Sequence, residues 1–404
     1  MKNNRKLTFP AKNKLTNYFA EKVFSRIKKA NYGQIEIILP NKQFVSHTGQ
    51  NAGQNISIEF KTWKSFFQYV ILGQLSFAEA YINGSINISN LSALFHWFVD
   101  NEKYFPEKQN NRYKNMINRF SHIILNDNNR SGSRKNISFH YDLGNNFYKK
   151  WLDETMTYSA GIFGNTKCLA GSQRAKYSRI IEQLKLKDGN SVLEIGCGWG
   201  GFAEFAVEAG HRVTGITISP AQLAFASQRL DSAIHAGAAE LVLQDYRDLR
   251  GRFDAIVSIE MFEAVGKQWW GSFMQTLKRN LKPGGKAVVQ TIHIKEDLFE
   301  GYNKRADFIQ TYIFPGGMLP SPDRFTHIAT QAGLACRDIH HFGASYAETL
   351  KRWQKNFNEV ENDVRSLGFD TEFMRLWNFY FSYCISGFDS GRTGVAQYTL
   401  QAAR

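Results

Sequence analysis

The sequence predicts an α/β protein, a mostly parallel sheet flanked by helices and preceded by a smaller basic α/β domain. Three observations carry that prediction. Beyond residue 190, short β-branched runs alternate with helical stretches. A glycine-rich turn, LEIGCGWGG over residues 193–201, follows the first of those runs. The charge is lopsided: residues 1–135 hold 20 Lys and Arg against 8 Asp and Glu, leaving 30 against 28 in the remainder.

The runs SVLEI (191–195), RVTGITI (212–218), LVLQD (241–245), FDAIVS (253–258) and KAVVQTI (286–292) read as strands. The stretches between them have helical length, and that alternation describes right-handed βαβ units. A helix is expected over 173–184, and 346–388 reads as mostly amphipathic helix before a last strand, VAQYTL, at 395–400. In the first domain, 35–39 and 56–60 read as strands, and 61–73 and 91–101 as helices. Between those two helices, FAEAYINGSINI (77–88) has no pattern that decides its structure. LNDNNRSGSRKN (125–136) is polar and without apolar periodicity, so it reads as a linker between a domain over 1–124 and one over 137–404.

Composition bounds the function. With 43% hydrophobic and 21% charged residues in 404, the chain can bury real cores and is not a disordered or fibrous protein. Four scattered cysteines without a CxxC pair support neither a disulfide framework nor a zinc clip, so no metal is expected and a reducing cytoplasm is the simplest setting. The most apolar short run, FFQYVIL, is far shorter than a membrane span, and MKNNRKLTFP has no apolar core behind its charges. The basic first third is suited to a polyanion, either nucleic acid or an anionic lipid surface.

The site signals gather at the first strand of the second domain. Gly196, Gly198 and Gly200 let the backbone turn tightly and press against a ligand. A dinucleotide site would want an acidic residue after the second strand to grip the ribose, but this chain has Thr217, Ile218 and Ser219 there. Gln222, at the start of the next helix, has the amide groups for a ribose diol. Together with Glu194 and the later LKPGGKAVV, the pattern resembles the class I S-adenosylmethionine (SAM) methyltransferases, a Rossmann-like fold.

More specifically, the chain resembles the cyclopropane-fatty-acyl-phospholipid synthases and their mycolic-acid relatives. The matching motifs are FHYDLGNNFYKKWLDETMTYS, LEIGCGWGGFA, GITISPAQ, LQDYRD, SIEMFEAVG, YIFPGGMLPS and HFGASY, in the family's order; the first third matches more loosely through LGQLSFAEAYINGSINI. The resemblance implies that Tyr158 and Ser159 hold the methionyl group of SAM over Gly196, Cys197 and Gly198. It places Thr217 and Gln222 at the ribose, Gln244 and Asp245 at the adenine, and Ile259 along the same cleft. His140 and Asp142 would order a lid over the cofactor.

The family's base is a bound bicarbonate held by a Glu, a His, a Tyr and main-chain amides. By resemblance these roles fall to Glu263, the strongest catalytic candidate, with Tyr346 and the Ile292 amide. Three positions depart from the family: Ala160 stands for a Cys, Ala264 for a His, and Gln290 for the fifth-strand His. Gln290 can donate a hydrogen bond but cannot carry a proton. His293 cannot replace it, because residues 290 and 293 of a strand face opposite ways. A methylated alkene chain is cationic and would be quenched by water, so a dry pocket is expected, with Tyr158, Phe262 and Tyr346 as available aromatics.

The implied activity is SAM-dependent transfer of a one-carbon unit to the double bond of an unsaturated acyl chain of a membrane phospholipid. The altered positions keep open a methylene or methyl branch, or a furan-type product. A saturated methyl branch would need a redox partner, since no second nucleotide motif is present to supply hydride. A nucleic-acid methyltransferase lacks support, because neither a D/N-P-P-Y/F motif nor an RNA-binding module occurs. The other rival is a non-catalytic lipid-binding relative. The basic domain would dock on the anionic inner face of the membrane, and the resemblance adds dimerisation and lipid capture.

Overall fold

The computed structural model describes residues 14–105, 143–304 and 306–402. The linker expected at 125–136, with His140 and Asp142, lies outside them. Contacts divide the chain into two units, Met1–Asn111 with Phe369–Ser386, and Arg112–Gly368 with Gly387–Arg404.

In the first unit a helix, Lys14–Ile27, precedes β1 (Tyr32–Ile38), β2 (Phe44–Thr48) and β3 (Asn51–Phe60). Helices follow at Trp63–Leu72 and Gln74–Ile82, then β4 (Ile86–Ile88) and the helix Leu91–Asn101. The sheet order is β2-β1-β3-β4, with β1 and β3 parallel and the outer pairs antiparallel. Both helices expected from sequence are present and capped by side chains, Thr62 accepting from Ser65 N–H at 3.2 Å and Asn90 from Ala93 N–H at 2.9 Å. The undecided 77–88 segment divides into most of a helix and β4. β2 escaped sequence reading because it is an edge strand whose Phe44 is 56% exposed.

The second unit is the predicted α/β sheet. Its strands are β5 (Ser191–Ile195), β6 (Arg212–Thr217), β7 (Ala239–Leu243), β8 (Phe253–Ile259), β9 (Leu281–Ile294), β10 (Leu334–His341) and β11 (Thr393–Ala402). The order is β10-β11-β9-β8-β5-β6-β7. β5 to β9 pair in parallel, and β11 runs antiparallel to both its neighbours. Strand periodicity splits the core between the two faces. Leu193, Ile195, Ile256, Ala287 and Val289 face one helical layer, while Val192, Ala255, Val257 and Val288 face the other. Phe262 belongs to the first of these, wholly buried against Trp270, Phe273 and Phe325. It is a core residue rather than a pocket aromatic.

The helical last third breaks into Gly343–Glu359, Glu361–Ser366 and Thr371–Asp389. β7 ends two residues earlier than expected, so Gln244 and Asp245 lie in the turn beyond it. β10 gives no strand signal in sequence because half of LACRDIHH is polar and the segment is half-exposed at the sheet edge. Among the described residues, no helix is long and apolar enough to cross a membrane.

Candidate active site

At the carboxyl end of β5 the chain turns through the glycine loop, with the Gly196 and Cys197 N–H groups both donating to Ile216 C=O at 2.9 Å. Gly196 has φ +83°, and a Cβ there would press on Met261 at 3.0 Å. Gly198, at φ +52°, faces open space: no heavy atom lies within 4 Å of where its Cβ would be. Just before the loop, the buried Glu194 has one carboxylate oxygen, Oε2, with no hydrogen-bond partner among the described residues. Burial pushes that carboxyl well above its usual range. An orphaned buried carboxylate oxygen at an open glycine turn fits a cationic ligand with an amino-acid end, which is the methionyl half of SAM.

The other expected cofactor positions are distributed around this turn. Ser159 Oγ accepts from Lys176 Nζ at 2.7 Å, while Tyr158 stacks on Trp353 with centroids 5.1 Å apart. Beyond β6, Thr217 Oγ1 donates to Gln222 Oε1 at 3.0 Å. The Gln222 helix is started by Ser219 as its cap and Pro220 in its first turn. Gln244 Nε2 donates to Asp248 C=O at 3.1 Å. Asp245 is clamped by Arg247 through Nη2 at 2.6 Å and Nε at 2.8 Å, so its carboxylate is already ion-paired. Ile259 is half-buried and opposite Gln290 in the β8–β9 register.

Ala160, Gln290 and Tyr346, expected with Glu263 around a bound bicarbonate, converge instead on one side-chain carboxylate, Glu260. Glu260 Oε1 accepts from Ala160 N–H at 2.9 Å and from Gln290 Nε2 at 2.8 Å. Its Oε2 accepts from the Tyr346 hydroxyl at 2.7 Å. Backbone geometry aims the side chain: Glu260 follows the last residue of β8, donates its N–H to Gln290 C=O at 2.8 Å, and sits at φ +50°. A non-glycine residue in this left-handed region costs about 1–2 kcal/mol, a strain characteristic of functional sites.

Glu263, three residues on, accepts from the Ile292 N–H, and its Oε2 is buried without a hydrogen-bond partner among the described residues. Thus the Ile292 amide is engaged by Glu263 itself. Burial and the neighbouring Glu260 charge push the Glu263 carboxyl up to about 8, which keeps it protonated at neutral pH. Glu260 is also raised by burial, opposed by its bonds to Tyr346, Ala160 and Gln290 and by the charge of Lys176. Lys176 is itself wholly buried, and desolvation brings it down to about 7. One carboxyl holds its proton while the other has three donors that favour the anion, a division suited to proton acceptance.

His293 does not turn inward: its Nε2 lies 3.2 Å from His341 Nδ1, on the side of β9 away from Gln290. Ala264 provides no side-chain polar group. The sequence places the catalytic carboxylate at Glu263 by resemblance and does not single out Glu260. A carboxylate directly after a parallel strand, at the end where ligands of such sheets bind, was the available signal. Lys176, by contrast, is indistinguishable in sequence from a solvated helix lysine. Among the described residues, no His, Cys, Asp and Glu group could hold a metal ion.

The chain is 38% identical over 283 residues to the tuberculostearic acid methyltransferase UfaA1 of Mycobacterium tuberculosis, covering 68% of this chain and 66% of that protein. It is 36% identical over 251 residues to the cyclopropane-fatty-acyl-phospholipid synthase of Escherichia coli K12, covering 62% and 63%. The matches therefore span just under two thirds of these relatives' lengths. Among solved structures, the cyclopropane synthase MmaA2 from Mycobacterium tuberculosis superposes with a TM-score of 0.62 at 26% identity, over 66% of this chain and 98% of that one. The mycolic acid cyclopropane synthase CmaA1, complexed with SAH and CTAB, superposes with the same score and coverage at 28% identity. The glycine turn, the parallel sheet and the residues gathered above them are those of the region 128–398, which matches the mycolic acid cyclopropane synthetase family model, and the chain belongs to that family.

Proposed function

We propose that this protein transfers a one-carbon unit from SAM to the double bond of an unsaturated acyl chain in a membrane phospholipid, with its own Glu260 as the proton acceptor. The observation that carries the proposal is the buried Glu260 carboxylate, held by the Ala160 amide, the Gln290 amide and the Tyr346 hydroxyl. Ala160, Gln290 and Tyr346 are groups the family resemblance assigns to bicarbonate, and here a side-chain carboxylate takes its place.

When bound at Tyr158, Ser159, Glu194 and the glycine turn, with Thr217 and Gln222 at its ribose, SAM supplies an electrophilic methyl group. Glu260 Oε2 then takes one proton from the methylated, cationic chain. The electrons of the broken C–H bond either close a three-membered ring or form a carbon–carbon double bond. Tyr346, Ala160 and Gln290 favour the anion against burial and orient the carboxylate until that moment. The faces of Tyr158, Trp353 and Tyr346, which pack against one another, exclude water and stabilise positive charge.

The base replacement favours a second product, a methylene branch, because a base rebuilt in the protein can be aimed at a different hydrogen. The similarity to a relative named for tuberculostearic acid supports that variant too, and a reductant would then be needed to saturate the branch. The basic first unit supports docking on the anionic inner face of the membrane.

Vesicles of unsaturated phospholipid incubated with purified protein and methyl-deuterated SAM test the proposal by lipid mass spectrometry. A labelled one-carbon gain is expected. If the product takes up no hydrogen on mild catalytic hydrogenation it is a ring; if it does, it retains an alkene. No labelled lipid would overturn the assignment.

A further inference from the structure

We infer that Arg179 is a positioning residue which, through Gln397 and Gln290, keeps Oε1 of Glu260 a permanent hydrogen-bond acceptor and so directs the substrate's proton to Oε2. The inference rests on Glu260 being the proton acceptor. The two glutamines are wholly buried and directly opposed across β9 and β11.

The bonds run in one direction. Asp338, on β10, accepts from Arg179 Nη2 at 2.5 Å. Arg179 Nη1 donates to Gln397 Oε1 at 3.2 Å. Gln397 Nε2 donates to Gln290 Oε1 at 3.1 Å, and Gln290 Nε2 donates to Glu260 Oε1 at 2.8 Å. An amide can be turned end for end with little change of shape, so its polarity must come from its neighbours. A guanidinium only donates, and it therefore requires the oxygen of Gln397 to face it. Two main-chain carbonyls give the same answer from the other side: Lys176 C=O lies 3.4 Å from Gln397 Nε2, and Ala160 C=O lies 3.4 Å from Gln290 Nε2. Reversing either glutamine would set oxygen against oxygen in a buried site.

The consequence falls on the carboxylate. Oε1 faces two donors, the Ala160 N–H and Gln290 Nε2, and a proton placed there would collide with both. Among the described residues Oε2 faces the Tyr346 hydroxyl, which can rotate to accept. When a substrate C–H bond breaks, the new O–H bond forms at Oε2 and the C–H electron pair stays with the product. Arg179 is suited to anchor the chain from outside, since its side chain is 18% exposed and paired with Asp338.

Besides the relay, the titratable groups facing Glu260 are Lys176 from the helix Leu169–Leu184, Glu263 from the turn Phe262–Val265, and Tyr346 from the helix Gly343–Glu359. Arg179→Met leaves all three in place and removes the charged donor of the relay, so that Gln397 is held only by its Gln290 bond and the long Lys176 carbonyl contact, and the bond from Gln290 to Oε1 weakens.

The experiment measures kcat against pH, SAM affinity by calorimetry, and protonation of the Glu260 carboxyl by infrared titration, identified as the band lost in Glu260→Gln. In Arg179→Met the acid limb of kcat and the infrared midpoint should both rise, by about one pH unit for a weakened hydrogen bond to a charged group. SAM affinity should be unchanged, and Arg179→Lys, which still donates, should restore the wild-type limb. An unmoved limb and midpoint would overturn the inference, as would a kcat that falls equally at every pH together with SAM binding. The infrared arm needs no turnover, so failure of the relay is separate from failure of Glu260 as base, which would appear as normal turnover in Glu260→Gln.

Discussion

Two carboxyl groups three residues apart have opposite surroundings, which suit them to opposite tasks. Glu260 collects three donors that favour its anion, whereas Glu263 has the Ile292 N–H, a buried oxygen and a like charge beside it. Replacing Glu260 by Gln removes the basic oxygen while keeping the volume. We expect kcat to fall by about 10³-fold or more, in the upper range for loss of a positioned base, with SAM affinity within about threefold by calorimetry. Glu263 makes a different prediction. A carboxyl raised from its unfolded value to about 8 stabilises the fold fully at pH values below that of the unfolded group, and the contribution is lost as pH rises through 8. Glu263→Gln, which never ionises, should thus gain thermal stability relative to the unsubstituted protein between pH 6 and pH 9, by about 1–3 kcal/mol at the alkaline end. Melting curves across that range check it. Sequence exposed half of this pair. The family resemblance points to Glu263, whereas the left-handed backbone that turns Glu260 into the cluster is a property of the folded turn, and no residue type announces it.

The strand–turn–helix element at β5 is where sequence and structure agree most closely. Its β-branched run, three glycines and following helix have one reading as a ligand turn, and the strand ends at the predicted residue, Ile195. Gly198→Ala tests the turn. No atom obstructs the new methyl, so folding should lose only about 1 kcal/mol to the positive φ, while SAM affinity should drop about tenfold or more because the methyl enters the ligand's space. Equal SAM affinity would remove Gly198 from the cofactor site. Elements at sheet edges were less legible. β2 and β10 carry polar, half-exposed residues, so neither the alternation nor the continuous apolar run that marks a strand is present. β2 pairs with Tyr32–Ile38 across a short hairpin that its exposed residues do not signal, whereas the assignment of β10 depends on a partner distant in sequence, Thr393–Ala402. The Gln290–Gln397 pair is hidden for the same reason: 107 residues separate its members, and only the antiparallel β9–β11 register brings them together.

At the scale of the whole molecule, the chain sets most of its net positive charge in one third and its candidate site in the rest. A charge-driven attachment should follow ionic strength. Binding to vesicles with anionic lipid should be lost as salt rises toward about 1 M, where screening acts within about 3 Å, and vesicles of neutral lipid should bind weakly throughout. Sedimentation with the two vesicle types measures this, and salt-independent binding would point instead to apolar insertion. On the proposed mechanism the base belongs to the protein. Turnover in buffer stripped of carbon dioxide and bicarbonate tests it most directly, against the same reaction with bicarbonate restored. With Glu260 as the resident base, the two rates should be equal. A rate that collapses without bicarbonate and recovers on its addition would contradict the account and return the catalytic role to a bound ion.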